Sequence, residues 1–128
     1  MRGVLDTSVF IADEHGRPLS NAALPDEAAV SVVTLAELEL GVHMAQSDSA
    51  RARRLSTLNA LTATYVAVPI DEPVASAFAE LVASARRSGR RLRVRDAWIA
   101  ATAKAHAAVV YTQDADFEGI PGLEVVRV

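Results

Sequence analysis

The chain has 128 residues with 13 Lys+Arg against 16 Asp+Glu, a net charge of −3, and is long enough for one domain around one core. Hydrophobic residues make up 51%, aromatics only 5% and charged residues 23%, at a mean hydropathy of +0.19, which excludes a disordered chain. The absence of Cys excludes disulfides, thiolate zinc sites and cysteine nucleophiles, and the scattered His15, His43 and His106 leave no all-histidine metal cage.

Gly3 to Leu5 is a short apolar run ending at Asp6-Thr7-Ser8, and Val9 to Ala12 follows, a buried strand passing into a short helix. Residues 17–26 have the composition of a surface loop with room for one helical turn. Ala29 to Val33 is the next strand, and Thr34 to Met44 has helical periodicity through Leu35, Leu38, Val42 and Ala45. Ser49 to Thr64 is a helix with Leu55, Leu58 and Leu61 on one face. Tyr65 to Ile70 is a strand, and Asp71-Glu72-Pro73 is an N-cap with a first-turn proline, opening a helix that Gly89 stops. Asp96 to Ala108 is an alanine-rich helix whose small side chains permit close packing. Ala108 to Thr112 is a strand, 113–122 a polar loop and Leu123 to Val128 the last strand. Strands alternating with helices predict an α/β domain over residues 1–128, a three-layer fold with a mostly parallel sheet and helices on both faces. No apolar run approaches the roughly 18 residues of a membrane span and no leader pattern opens the chain, so a cytoplasmic protein without membrane association is expected.

Basic residues are segregated. Arg51, Arg53 and Arg54 form one group, and Arg86, Arg87, Arg90, Arg91, Arg93 and Arg95 another. On an acidic protein such a stripe is either a solvated face or a local attractor for a polyanion.

In open α/β sheets ligands gather beyond the carboxyl ends of the strands. Asp6 sits at the end of the first strand, Asp114 and Asp116 just past the strand ending at Thr112, Asp96 at the opening of a helix, and Glu37 in the first turn after the second strand. Each has a bland alternative. Thr34-Leu35-Ala36-Glu37 fits a capping box, Asp96 fits a helix cap, and Asp114 and Asp116 fit turn formers. Asp6 is hardest to dismiss, because a carboxylate inside an apolar run has a desolvation cost and needs a partner. If these acids converge, each pair about 5 Å apart repels by roughly 3 kcal/mol at an effective dielectric near 20, and a hard cation such as Mg²⁺ or Mn²⁺ resolves the repulsion. Such a site suits phosphodiester hydrolysis.

Four stretches, in this order, resemble the motifs of PIN-domain ribonucleases. They are Leu5-Asp6-Thr7-Ser8-Val9-Phe10-Ile11, Ser31-Val32-Val33-Thr34-Leu35-Ala36-Glu37-Leu38-Glu39-Leu40-Gly41, Arg95-Asp96-Ala97-Trp98-Ile99-Ala100-Ala101-Thr102-Ala103, and Thr112-Gln113-Asp114-Ala115-Asp116-Phe117 with Ile120-Pro121-Gly122-Leu123. They extend over nearly the whole chain, whose size is similar to that of the VapC toxins of bacterial toxin–antitoxin pairs. The resemblance implies a PIN-like fold and Mg²⁺-dependent cleavage of RNA, with Mn²⁺ able to substitute. It implies Asp6 and Asp96 as direct metal ligands and Glu37 as holder of the metal's water shell or orienter of the nucleophile. Asp114 completes the site, with Asp116 a second candidate for that place. Thr7, Ser8 and Thr112 support the carboxylates by hydrogen bonds. It further implies a homodimer and a VapB-like antitoxin whose C-terminal segment fills the groove. Arg90, Arg91 and Arg93 lie outside the motifs and Arg95 opens the third, and all four are expected to hold RNA through its phosphates.

Two other readings compete. A phosphatase or phospho-acceptor domain also places Asp at a strand end, but the position two residues after Asp6 is Ser8, and the single lysine, Lys104, falls inside a helix. A non-catalytic RNA- or protein-binding module, its acids merely structural, is the alternative from another class. RNA incubated with and without EDTA separates it from a nuclease.

Overall fold

The computed structural model describes residues 2–19 and 24–128; the helical turn expected within 17–26 falls partly on 20–23, outside the described residues. Five strands, β1 (Arg2–Leu5), β2 (Glu27–Ser31), β3 (Val66–Val68), β4 (Val109–Thr112) and β5 (Val125–Arg127), form one sheet in the order β3-β2-β1-β4-β5. Every pairing is parallel, and Val4 at the centre lies beside Ala29 on one side and Val110 on the other. Five helices complete the fold: α1 (Thr7–Glu14), α2 (Val32–His43), α3 (Asp48–Thr64), α4 (Glu72–Arg87) and α5 (Val94–Ala105). A 3-10 turn spans Ala115–Phe117.

Alternation along the strands divides the interior in two. Val4 and Val110 pack with Val74, Leu81, Ile99 and the alanines of α5, whereas their neighbours Leu5 and Val109 pack with Val9, Leu38 and Leu61. Helices therefore cover both faces, as the alternating pattern predicts. The α5 helix buries Ala97, Ile99, Ala100, Ala101, Thr102 and Ala103 nearly all round, which only small side chains allow so close to a sheet. On α4, Val74, Ala77, Leu81 and Ala85 form one buried stripe. Its start and stop match the sequence expectation: Asp71 accepts from the Val74 N–H at 3.2 Å, and Gly89 takes the left-handed backbone (φ +77°) that ends the helix.

Several expectations need correction. The second strand lies at 27–31 instead of 29–33, because Ser31 caps α2 by accepting from the Val33 N–H at 3.0 Å. Val32 and Val33 are thus the first helical turn. β3 and β5 are shorter than expected, and the 113–122 loop contains the 3-10 turn. Of Leu55, Leu58 and Leu61, expected on one face of α3, Leu61 is buried while Leu55 is 42% exposed.

Candidate active site

The parallel sheet brings all five strand ends to one edge, and the acids collect there. Asp6 is the N-cap of α1 and is only 4% exposed. Three donors converge on its Oδ2: the Ser8 hydroxyl at 2.7 Å, the Thr112 hydroxyl at 2.8 Å and the Ser8 N–H at 3.4 Å. Its other oxygen, Oδ1, has no protein donor among the described residues. The same hydroxyls accept in turn, Thr112 from the Asp114 N–H at 2.9 Å and Ser8 from the Gln113 N–H at 3.0 Å. Two neighbouring strands, β1 and β4, are thereby locked at their ends, and Ser8 and Thr112 support the carboxylate as expected.

Glu37 does not serve a capping box. Ser31 caps the helix, so Glu37 stands in the second turn and not the first, and its carboxylate reaches across the site instead. The Thr7 hydroxyl donates to Glu37 Oε1 at 2.8 Å and lies 3.0 Å from the hydroxyl of Thr34, which is fully buried. Arg95 Nη1 donates to Oε2 at 3.0 Å. Asp96 is not a cap either: α5 starts at Val94, and its N-cap Arg93 makes no side-chain capping bond. Asp96 stands in the first turn, where the helix dipole favours an anion. Asp114 does form a turn, accepting from the Asp116 N–H at 2.9 Å.

One oxygen each from Asp96, Asp114 and Asp116 lie within 4.8 Å of one another. Asp114 and Asp116 therefore both belong to the cluster. Asp6 falls outside that tight group but acts on it. The Asp96 carboxyl is pushed up to about 6 from its ordinary 3.8, first by burial, then by the negative charges of Asp6 and Asp114, with Glu37 adding least and Arg93 opposing. Asp96 thus feels the fields of Asp6, Asp114 and Glu37, and Asp116 joins it and Asp114 in the tight group.

The arginines are used unequally. Arg90 donates through Nη1 to the Glu118 carbonyl at 2.7 Å and through Nη2 to the Asp116 carbonyl, holding the 3-10 turn. Arg93 pairs with Asp116 at 3.7 Å, and Arg95 with Glu37. Of the four arginines expected to hold RNA, Arg91 alone makes no hydrogen bond or ion pair among the described residues. The Arg90 clasp, the Thr34 hydroxyl and the Gln113 backbone were not assigned these structural roles from sequence, since each acts through a partner distant in the chain.

The donor set suits a hard divalent cation. It is made of carboxylate oxygens only, Asp6 keeps one oxygen clear of donors, and no lysine neutralises the cluster, Lys104 being paired with Glu80 at 2.8 Å. A raised Asp96 marks charge that the protein leaves partly uncompensated.

A family profile described as PIN domain matches residues 3–123. Ribonuclease VapC5 of Mycobacterium tuberculosis is 48% identical over 129 residues, spanning 98% of this chain and 95% of its own. Ribonuclease VapC4 of the same organism is 44% identical, spanning 99% and 97%. The crystal structure of VapBC-5 from M. tuberculosis, a member of the VapBC family of toxin–antitoxin systems, superposes with a TM-score of 0.89 at 45% identity, over 99% of this chain and 98% of that one. The chain belongs to the PIN-domain family, and it is similar to VapC ribonucleases along nearly its whole length.

Proposed function

We propose that this chain is a Mg²⁺-dependent endoribonuclease, the toxic half of a type II toxin–antitoxin pair. The observation that carries the reading is the gathering of Asp6, Glu37, Asp96, Asp114 and Asp116 at the carboxyl edge of the sheet, with Asp96 pushed up to about 6. Mg²⁺, or Mn²⁺ in its place, supplies there an acidified water and charge neutralisation at the attacked phosphate. Asp6 and Asp96 would hold the ion directly, with Asp114 and Asp116 completing the set of carboxylates around it. Ser8 and Thr112 fix Asp6 through one oxygen and leave the other available. Glu37, aligned by Thr7 and Arg95, orients the attacking water. The names of VapC5 and VapC4 and the VapBC-5 assembly support RNA as substrate and a VapB-like antitoxin as partner; that the antitoxin's C-terminal segment fills the groove is part of the same reading. Homodimerisation and a cytoplasmic location belong to the same reading. No described helix is long and apolar enough to cross a membrane.

Purified chain incubated with RNA in Mg²⁺ is expected to cleave it, and EDTA to stop cleavage. Asp6→Asn and Asp96→Asn should each lower the rate on the order of 100-fold or more, the scale on which losing one electrostatic group acts in such sites. Either variant cleaving at the parental rate removes the assignment.

A further inference from the structure

Beside the acids, between α4 and the start of α5, lies a cavity of about 500 Å³ with an apolar lining that includes Phe78, Val82 and Leu92 and with Arg86, Arg90 and Arg91 along it. Among the described residues, no acidic one lines it. A second cavity of about 140 Å³ shares Arg90, Arg91 and Leu92 with the first and is completed by Arg93, Asp96 and Asp116. The two cavities adjoin, with Arg90, Arg91 and Leu92 lining both.

Charge divides the two regions. Arg90, Arg93 and Arg95 are spent on carbonyls and carboxylates of the site. The Arg86 and Arg91 side chains are exposed and make no hydrogen bond or ion pair among the described residues. Two uncompensated guanidinium groups above an apolar cavity fit a ligand that is flat and apolar in one part and anionic in the next. The volume is within the range of roughly 300–1,000 Å³ common for small-ligand pockets, and single-stranded RNA is read by splaying a base out of the strand into such a recess.

We propose that this cavity is a nucleoside subsite for the RNA strand held at the acids, with the base among Phe78, Val82 and Leu92 and the flanking phosphates on Arg86 and Arg91. The inference rests on the nuclease reading for the presence of that strand. RNA is favoured over a protein segment because the positive rim adjoins the acidic pocket in which, on the nuclease reading, a phosphate lies.

The test is binding of a short, uncleavable single-stranded 2′-O-methyl RNA, followed by fluorescence anisotropy across a salt series. Arg86→Ala/Arg91→Ala should weaken binding roughly 10-fold and reduce the log–log salt slope by about 1.4, because each phosphate neutralised on a single strand adds about 0.7 to that slope. Val82→Trp, which fills the cavity, should weaken binding by about 10-fold with the slope unchanged, since stacking and not charge is removed. Circular dichroism confirms that each variant is folded, and the arginine pair is a surface change that leaves the core intact. Variants that bind as the parent does, in a chain that cleaves RNA, overturn the subsite and leave the nuclease standing. Weakened variants of a parent that binds but does not cleave support the subsite and overturn the nuclease. Val82→Trp shifting the sedimenting mass while RNA affinity holds assigns the cavity to an interface between copies and also overturns the subsite.

Discussion

Asp96 carries the electrostatic tension of the site in one carboxyl group. Its folded value, about 6, exceeds the ordinary 3.8, so folding takes up a proton between those two pH values. The stability gained from that proton is fully present below pH 3.8 and is lost as pH rises through 6, leaving a penalty at neutrality. The group is partly exposed, so solvent screening reduces the penalty to about 1 kcal/mol. Asp96→Asn is therefore expected to melt about 3 °C higher than the parent at pH 8 in EDTA, with the gap closing as the pH approaches 4. Thermal melts at both ends of that range check it, and equal gaps at both ends would contradict the sign. The acids themselves were legible in the sequence, because a strand-end Asp in an apolar run has to find a partner. The role of Glu37 was not. Its local pattern fits a capping box, while its actual partners, Thr7 and Arg95, lie 30 and 58 residues away.

At the scale of elements, the segment between α4 and α5 is tied to the 3-10 turn by Arg90 and by the longer Arg93–Asp116 ion pair. Arg90 spans the two carbonyls of Asp116 and Glu118, and a hypothetical Cβ on Gly119 would come within 3.3 Å of its guanidinium. The turn carries Asp116 and is capped by Asp114, so Arg90 positions both acids through its bonds to the Asp116 and Glu118 carbonyls. Arg90→Ala is expected to loosen the turn by about 1 kcal/mol, the net worth of a partly solvated pair of hydrogen bonds. Amide exchange at Asp116, Phe117 and Glu118 should then quicken by about 5-fold. Arg90→Lys should not restore protection, since an ammonium cannot bridge two carbonyls as a planar fork does. Exchange rates unchanged in Arg90→Ala would remove the positioning role. Element types were readable because periodicity, the Asp71 cap and the Gly89 stop all agree on α4. Boundaries were less so at β2. Val32 and Val33 continue an apolar run, and a buried strand and the first turn of a buried helix look alike until the cap on Ser31 is seen.

Across the whole molecule, chain order places the site. β1 lies between β2 and β4, so the connections diverge from the β1–β4 junction, the kind of switch point where α/β sheets bind ligands. Asp6 ends one of these two strands and Asp114 follows the other, with Ser8 and Thr112 bridging them. Sequence alternation announced a parallel sheet, yet strand order is a matter of long-range pairing that no local pattern records, and it is this order that turns scattered acids into neighbours. The fold then stores their repulsion, which a divalent cation is expected to release as stability. At about 100 times its dissociation constant a ligand confined to the folded state adds roughly 2.7 kcal/mol, or about 8 °C for a chain of this size. Mn²⁺ titrated into EDTA-stripped protein should raise the melting temperature towards that limit. Asp6→Asn should lose most of the rise while melting cooperatively, because Asn retains an oxygen for the Ser8 and Thr112 donors but loses the charge and replaces the open oxygen with an NH2 donor. Ca²⁺, which accepts oxygen ligands at longer distances, tests whether charge alone suffices or the cage also selects by size. A parental melting curve indifferent to Mg²⁺ and Mn²⁺ would mean that the acids are balanced by the surrounding arginines, Arg93 on Asp116 and Arg95 on Glu37, and that the protein needs no metal to relieve them.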